Sequence, residues 1–175
     1  MYLISAYFDE HTNQTINRYI RQIAEKTMNH FMIDKQVPPH LTISSVEARQ
    51  GEVLFPYMEK LQGNLFQGTV QMVSVGMFFP YVMYLTPVLN HYLLDLSQQI
   101  YDAVNGIPET NVSHFYQPMN WLPHITLGKT LTKEQMKIAF AVMQESFAPL
   151  EGTIIKIGLA STNPHRDLSI WELKA

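Results

Sequence analysis

The period of the apolar positions changes several times along the chain, and each change marks an element. Tyr2 to Phe8 is a short apolar run rich in β-formers, which predicts a strand. Ile16, Ile20, Ile23, Ala24, Thr27 and Phe31 then recur near helical spacing, with Arg18, Arg21, Glu25 and Lys26 elsewhere. That pattern predicts an amphipathic helix with a solvated charged face, capped by Thr12. Gln36 to Pro39 imposes an extended approach, because a residue before proline avoids the α region, and a strand is expected to leave it. Glu52 to Leu61 predicts a shorter helix closed by Gly63, with Pro56 in its first turns. Thr69 to Phe79 and Tyr81 to Leu85 read as two strands parted at Pro80.

Thr86-Pro87 has the form of a helix cap and first turn, with Leu89, Leu93, Leu96, Ile100 and Val104 on one face up to Gly106. Ile107 to Asn120 shows no period and is either a functional loop or an irregular connection. Thr132-Lys133-Glu134-Gln135 is a capping box, opening a helix whose Met136, Ala139, Phe140, Met143 and Phe147 form a core stripe. Thr153, Ile155, Ile157 and Leu159 alternate as a strand, Ser161-Thr162-Asn163-Pro164 is a turn, and Leu168 to Leu173 is the last strand.

The order helix, strand, helix, strand, strand occurs from residue 12 to 86 and again from 87 to 174. Such a duplication predicts one α+β domain over residues 1–175, built as two lobes about a pseudo-twofold axis. Two mostly antiparallel sheets would face a central groove, with helices outside. The 175 residues, 46% apolar and 15% charged, are enough for that core. A net charge of −3 argues against coating long nucleic acid but not against a short phosphate substrate. There is no cysteine, so disulfides, thiolate metal sites and a cysteine nucleophile are excluded. Neither a signal-peptide pattern nor a long uncharged apolar run is evident, and a cytoplasmic monomer without a membrane segment is the expectation.

The candidate chemistry lies at matching places in the two repeats. Pro39-His40-Leu41-Thr42-Ile43 and Pro123-His124-Ile125-Thr126-Leu127 share the pattern Pro-His-apolar-Thr-apolar. On a strand, His and Thr two apart share a face while the apolar residues turn to the core. Each repeat therefore offers one imidazole beside one hydroxyl. His11, His30, His91, His114 and His165 repeat no motif and are read as surface residues. Paired carboxylates, a Gly-rich phosphate loop and His-Glu-x-x-His spacing do not occur at these motifs.

The doubled motif in two halves of a small chain resembles the two-histidine (2H) phosphoesterase superfamily, in its 2′-5′ RNA ligase-like and cyclic phosphodiesterase branches. The resemblance implies a bilobal fold with His40 and His124 as the catalytic pair and Thr42 and Thr126 as phosphate ligands. Related proteins often carry Arg five residues after the second His, where this chain has Lys129, a cation without a two-pronged donor geometry. The implied substrate is a small nucleotide or RNA terminus bearing a 2′,3′-cyclic phosphate, opened by paired His acid and base, with reversible 2′-5′ ligation as a further activity. No cofactor and no metal are required. A catalytically idle nucleotide- or RNA-binding module of the same fold is the alternative. For stacking a base, Tyr84 and Trp121 are the candidates, with Phe78, Phe79 and Tyr81 also near the motifs or turns.

Overall fold

The computed structural model describes residues 1–162 and 164–175; Asn163 of the expected turn lies outside the described residues. In chain order it contains β1 (Tyr2–Phe8), α1 (Glu10–Thr27), α2 (Phe31–Asp34), β2 (Leu41–Glu47), α3 (Phe55–Gln62), β3 (Gly68–Phe78) and β4 (Val82–Pro87). Then follow α4 (His91–Val104), β5 (Asn111–Val112), β6 (Ile125–Gly128), α5 (Lys133–Ser146), β7 (Leu150–Ser161) and β8 (Arg166–Glu172).

Local chemistry sets most boundaries. Asp9, not Thr12, caps α1: its carboxylate accepts from the Thr12 amide at 3.0 Å and the Thr12 hydroxyl at 2.6 Å. Met28 turns left-handed (φ 57°) and ends α1, so Phe31 belongs to α2 and not to the long helix. Thr86-Pro87 does not start α4. Both residues still pair with β3, and Asn90 caps the helix by accepting from the Leu93 amide at 3.0 Å. The capping box at Thr132 and Gln135 is present with both hydrogen bonds. Phe140 of that helix is 48% exposed and leaves the core stripe to Met136, Ala139 and Met143. A register shift between β1 and β7 near Ile154 breaks the expected alternation, so Ile154 and not Ile155 is buried beside Ile157 and Leu159.

All strand pairs are antiparallel, in the path β5-β2-β1-β7-β3-β4-β6, with β8 added to β7. The two halves of this sheet meet in β7. Leu150 to Ile154 pair with β3, while Lys156 to Ser161 pair with β8 on the same side. One half is β5, β2, β1, β7 and β8; the other is β3, β4 and β6 with the start of β7. The expected two sheets are thus continuous through one long strand.

The sequence repeats do not coincide with these halves. The first repeat supplies β2 to one half and the β3–β4 hairpin to the other; the second supplies β6 and β7–β8 in the opposite sense. Helices are exchanged similarly: α1 lies against α5 and β6, and α4 against α3 and β2. Ile16, Ile20 and Ile23 of α1 and Leu93, Leu96 and Ile100 of α4 are buried in these contacts. Among the described residues, no helix is long and apolar enough to cross a membrane.

Candidate functional site

Both motifs are built alike. His40 and His124 are the last residues before β2 and β6, and the prolines ahead of them, Pro39 and Pro123, are both buried. Leu41, Ile43, Ile125 and Leu127 are at most 1% exposed and anchor the two strands in the core. The alternate positions turn the other way, and His40, Thr42, His124 and Thr126 line one cavity of about 530 Å³. Convergence from two halves of the sheet is what the doubled motif required.

The imidazoles are oriented by the same device. His40 Nδ1 lies 2.8 Å from the Pro38 carbonyl, and His124 Nδ1 lies 2.9 Å from the Leu122 carbonyl. A carbonyl only accepts, so Nδ1 carries the hydrogen in both rings and Nε2 is left as the free nitrogen. Burial pushes the pKa of His40 down to about 4, with positive charge on His165 or His124 acting in the same direction against the Pro38 hydrogen bond and Asp167. Burial also lowers His124, against the hydrogen bond to Leu122. Both rings are therefore neutral in the empty groove at neutral pH.

A tyrosine packs beside each ring over a glycine. Tyr84 lies 5.4 Å from His124, and a methyl at Gly76 would come within 2.5 Å of the Tyr84 ring. Tyr7 lies 6.4 Å from His40, and a methyl at Gly158 would come within 2.5 Å of Tyr7. The remaining neighbours differ. His124 meets the edge of Phe78 at 4.8 Å, whereas His40 is stacked on His165 at 5.4 Å and 27°.

The expected stacking residues occupy other roles. Trp121 is 6% exposed, and its indole N–H donates to the Thr42 carbonyl at 3.0 Å, so it ties the two motifs together from behind. Tyr84 is 7% exposed, packed on Phe78 at 4.3 Å, and supports His124 without lining the cavity. Phe79 and Tyr81 are exposed outside it. The aromatic rings that do line it are Phe31 and Tyr116, joined by Lys35 and Lys129. The Lys129 ammonium stands 5.9 Å from the centre of the Phe31 ring.

His11, His30, His91 and His114 are exposed, as expected, but His165 is not a surface residue. Its side chain is 12% exposed, it lines the cavity, and its Nε2 is 3.7 Å from Asp167. Asp167 in turn accepts from the Tyr7 hydroxyl at 2.5 Å. Burial first, then the Asp167 carboxylate, raises the Tyr7 phenol, which stays protonated as the donor. His165 lies in the turn just before β8 and Asp167 is the second residue of that strand, so the two are near neighbours in sequence as well as in space. Among the described residues, no group of three His, Cys, Asp or Glu side chains is placed to hold a metal ion.

Comparison with solved structures places the fold. The protein TT0787 of Thermus thermophilus is 16% identical with a TM-score of 0.62, covering 99% of this chain and 98% of its own. E. coli LigT complexed with 3′-AMP is 14% identical with a TM-score of 0.59 and the same coverage. LigT complexed with ATP is 14% identical with a TM-score of 0.54, covering 99% of this chain and 97% of its own. No curated protein matches the sequence significantly. The sequence profile of the 2′-5′ RNA ligase superfamily matches residues 14–166, a span that includes both motifs and most of the repeated helix and strand order. The chain belongs to the 2′-5′ RNA ligase superfamily, the 2H phosphoesterases.

Proposed function

We propose that this protein hydrolyses 2′,3′-cyclic phosphates of small nucleotides or RNA ends by paired histidine acid–base catalysis, without a metal ion. The observation that carries the reading is the pair of free Nε2 atoms, one from each half of the sheet, lining one cavity, each with a threonine two residues on. A cavity of about 530 Å³ matches the size of a mononucleotide site.

Water adds to phosphorus as one neutral imidazole takes its proton, and the P–O bond to one ribose oxygen breaks as the other imidazole, protonated, gives that oxygen a proton. The product is a phosphate monoester. In-line displacement needs the two rings on opposite sides of the phosphorus, and that the two motifs reach one cavity from opposite halves of the sheet supports this arrangement. Thr42 and Thr126 donate hydrogen bonds to the non-bridging oxygens, and Lys129 adds positive charge. Because both rings are neutral in the empty groove, a proton must enter with the substrate, and the phosphate anion supplies the attraction. With a 5′-hydroxyl in place of water, the same base takes the hydroxyl proton, the bond from phosphorus to the ribose 3′ oxygen breaks as the same acid protonates it, and a 2′-5′ linkage forms; the roles exchange when that linkage is cleaved back to the cyclic phosphate. Phe31 and Tyr116 are the rings available to a base.

The test is hydrolysis of 2′,3′-cyclic nucleotides and cyclic-phosphate-ended oligonucleotides in EDTA. His40→Ala and His124→Ala each lower turnover by about 100-fold or more, the worth of a proton-transfer group. Thr42→Val and Thr126→Val lower it by about 100-fold where the hydroxyl holds transition-state charge. Wild-type protein that binds phosphate ligands and turns over none of these substrates is a binding module, and the enzymatic reading fails.

A further inference from the structure

We propose that His165, anchored through Asp167 and Tyr7, is a positioning residue that holds the proton on its side of the groove and so makes His40 the general base of hydrolysis and His124 the acid. The assignment rests on the two-histidine reaction proposed above.

The two sides of the groove are related by the repeat, yet they differ at one place. Phe78, at the end of the β3–β4 hairpin, packs on His124; His165, at the β7–β8 turn, packs on His40. An apolar ring stands at one position and a titratable ring at the other. His165 is also the member of the pair that has an anion. Its Nε2 is buried, forms no hydrogen bond, and lies 3.7 Å from Asp167. Protonating that nitrogen pairs it with the carboxylate, which the Tyr7 hydroxyl already holds in place at 2.5 Å. Rings stacked at 5.4 Å strongly disfavour protons on both. The proton goes to His165, and His40 keeps the free electron pair that a base needs.

The groups facing this cluster support the same direction. His40 meets Tyr7 from β1, His165 and Asp167 from the β7–β8 hairpin, and His124 across the groove, while Lys35, Lys129 and Tyr116 line the rest of the cavity. Asp167 is the only carboxylate among these groups, and its closest approach to a ring nitrogen is to His165. Among the described residues, the rings packed on His124 are those of Phe78 and Tyr84, neither of which carries a positive charge. A substrate anion can therefore bring a proton to His124 without opposing a second imidazolium in van der Waals range.

The experiment follows the protonation of each histidine by NMR in the full-length wild type, His165→Phe and His165→Arg, alongside kcat/KM against pH on a 2′,3′-cyclic mononucleotide. In the wild type, His165 takes its proton at higher pH than His40. Phe keeps the stacked ring and removes the charge, so His40 gains about tenfold in proton affinity and the acid limb of kcat/KM moves up by about one pH unit. Arg keeps the charge and leaves the acid limb low. A residue that only packs lowers the whole profile without moving the limb, and that result overturns the proposal. So does a shift of the alkaline limb, or a His40 that takes its proton before His165 in the wild type. Should His165→Phe not fold, Asp167→Asn decides: the midpoint of His165 must fall. A wild type without turnover removes the two-histidine reaction, while the NMR titrations still decide whether His165 governs His40.

Discussion

Trp121 offers the sharpest test of how the two motifs are held together. Its indole donates to the Thr42 carbonyl at 3.0 Å, three residues before His124 in sequence and beside the first motif in space. β5 pairs with β2 at Val46 and Glu47, and among the described residues no strand pairs with the outer edge of β2 at Thr42, where the indole stands instead. Trp121→Phe removes the donor and leaves a buried acceptor, which costs about 1–3 kcal/mol. The smaller ring adds a packing loss, for a total of about 2–3 kcal/mol. For a chain of this length each kcal/mol lowers the melting temperature by about 2–4 °C, so the expected drop is about 4–12 °C. Thermal and urea denaturation followed by circular dichroism measure it. Trp171→Phe is the control for lost indole volume, since Trp171 is 7% exposed and packed edge-on to Phe55. A Trp121→Phe melting temperature equal to that of the control would refute the claim that the hydrogen bond secures Thr42. The variant should also lose turnover by less than His124→Ala does, because the indole holds the motifs and moves no proton.

Three further outcomes are expected. His40 and His124 bind protons more weakly folded than unfolded, so the unfolded chain carries more protons between the ordinary value of 6.5 and the folded value of about 4 for His40. Stability therefore falls as pH drops through that window and levels off below it, by at most about 3 kcal/mol for His40 and less for its solvated part; a urea midpoint that rises on acidification contradicts the sign. Gly158→Ala drives a methyl into the Tyr7 ring and loosens Asp167, and Gly76→Ala does the same to Tyr84 behind His124; each costs about 1–3 kcal/mol of stability and lowers turnover with little change in KM, and steady-state kinetics equal to wild type would deny the tyrosines their supporting role. Asp9 caps α1 and also accepts from the Thr153 amide at 2.8 Å. Asp9→Ala should cost about 1–2 kcal/mol, and urea denaturation would show it. Burial would raise the Asp9 carboxyl, but the hydrogen bonds from Thr12, Thr153 and His11 hold it below its usual value, so its contribution is lost only as strong acid protonates it.

What can be read from the sequence is what neighbouring residues decide. The two His-apolar-Thr strands, the capping box at Thr132 and the buried stripe of α4 each follow from residues within a turn or two of one another. Local signals mislead where distant pairing settles an ambiguity. Thr86-Pro87 carries the signature of a helix start, but pairing with Met72 and Ser74 keeps both residues in β4. Phe31 continues a helical period that the left-handed Met28 cuts off. Of the expected site, His40, Thr42, His124, Thr126 and Lys129 line one cavity, while Tyr84 and Trp121 stand behind it. His165 looks like a surface residue in the sequence because the groups that give it meaning, His40 and Tyr7, are far away along the chain and come near through the pairing of β1 with both β2 and β7.

The exchange of elements between the repeats also bears on how the groove forms. Cut between β4 and α4, the chain would yield two pieces of nearly equal length, and each would hold one histidine motif without the hairpin and helix that pack against it. Neither piece closes a sheet by itself; two pieces must interlace. Loop-closure entropy is then spent before either motif is anchored, which favours slow, all-or-none folding. The groove cannot be half made. Two identical half-length chains interlaced in this way would give a groove with equal sides; carried on one chain, the two sides hold different rings, Phe78 on His124 and His165 on His40.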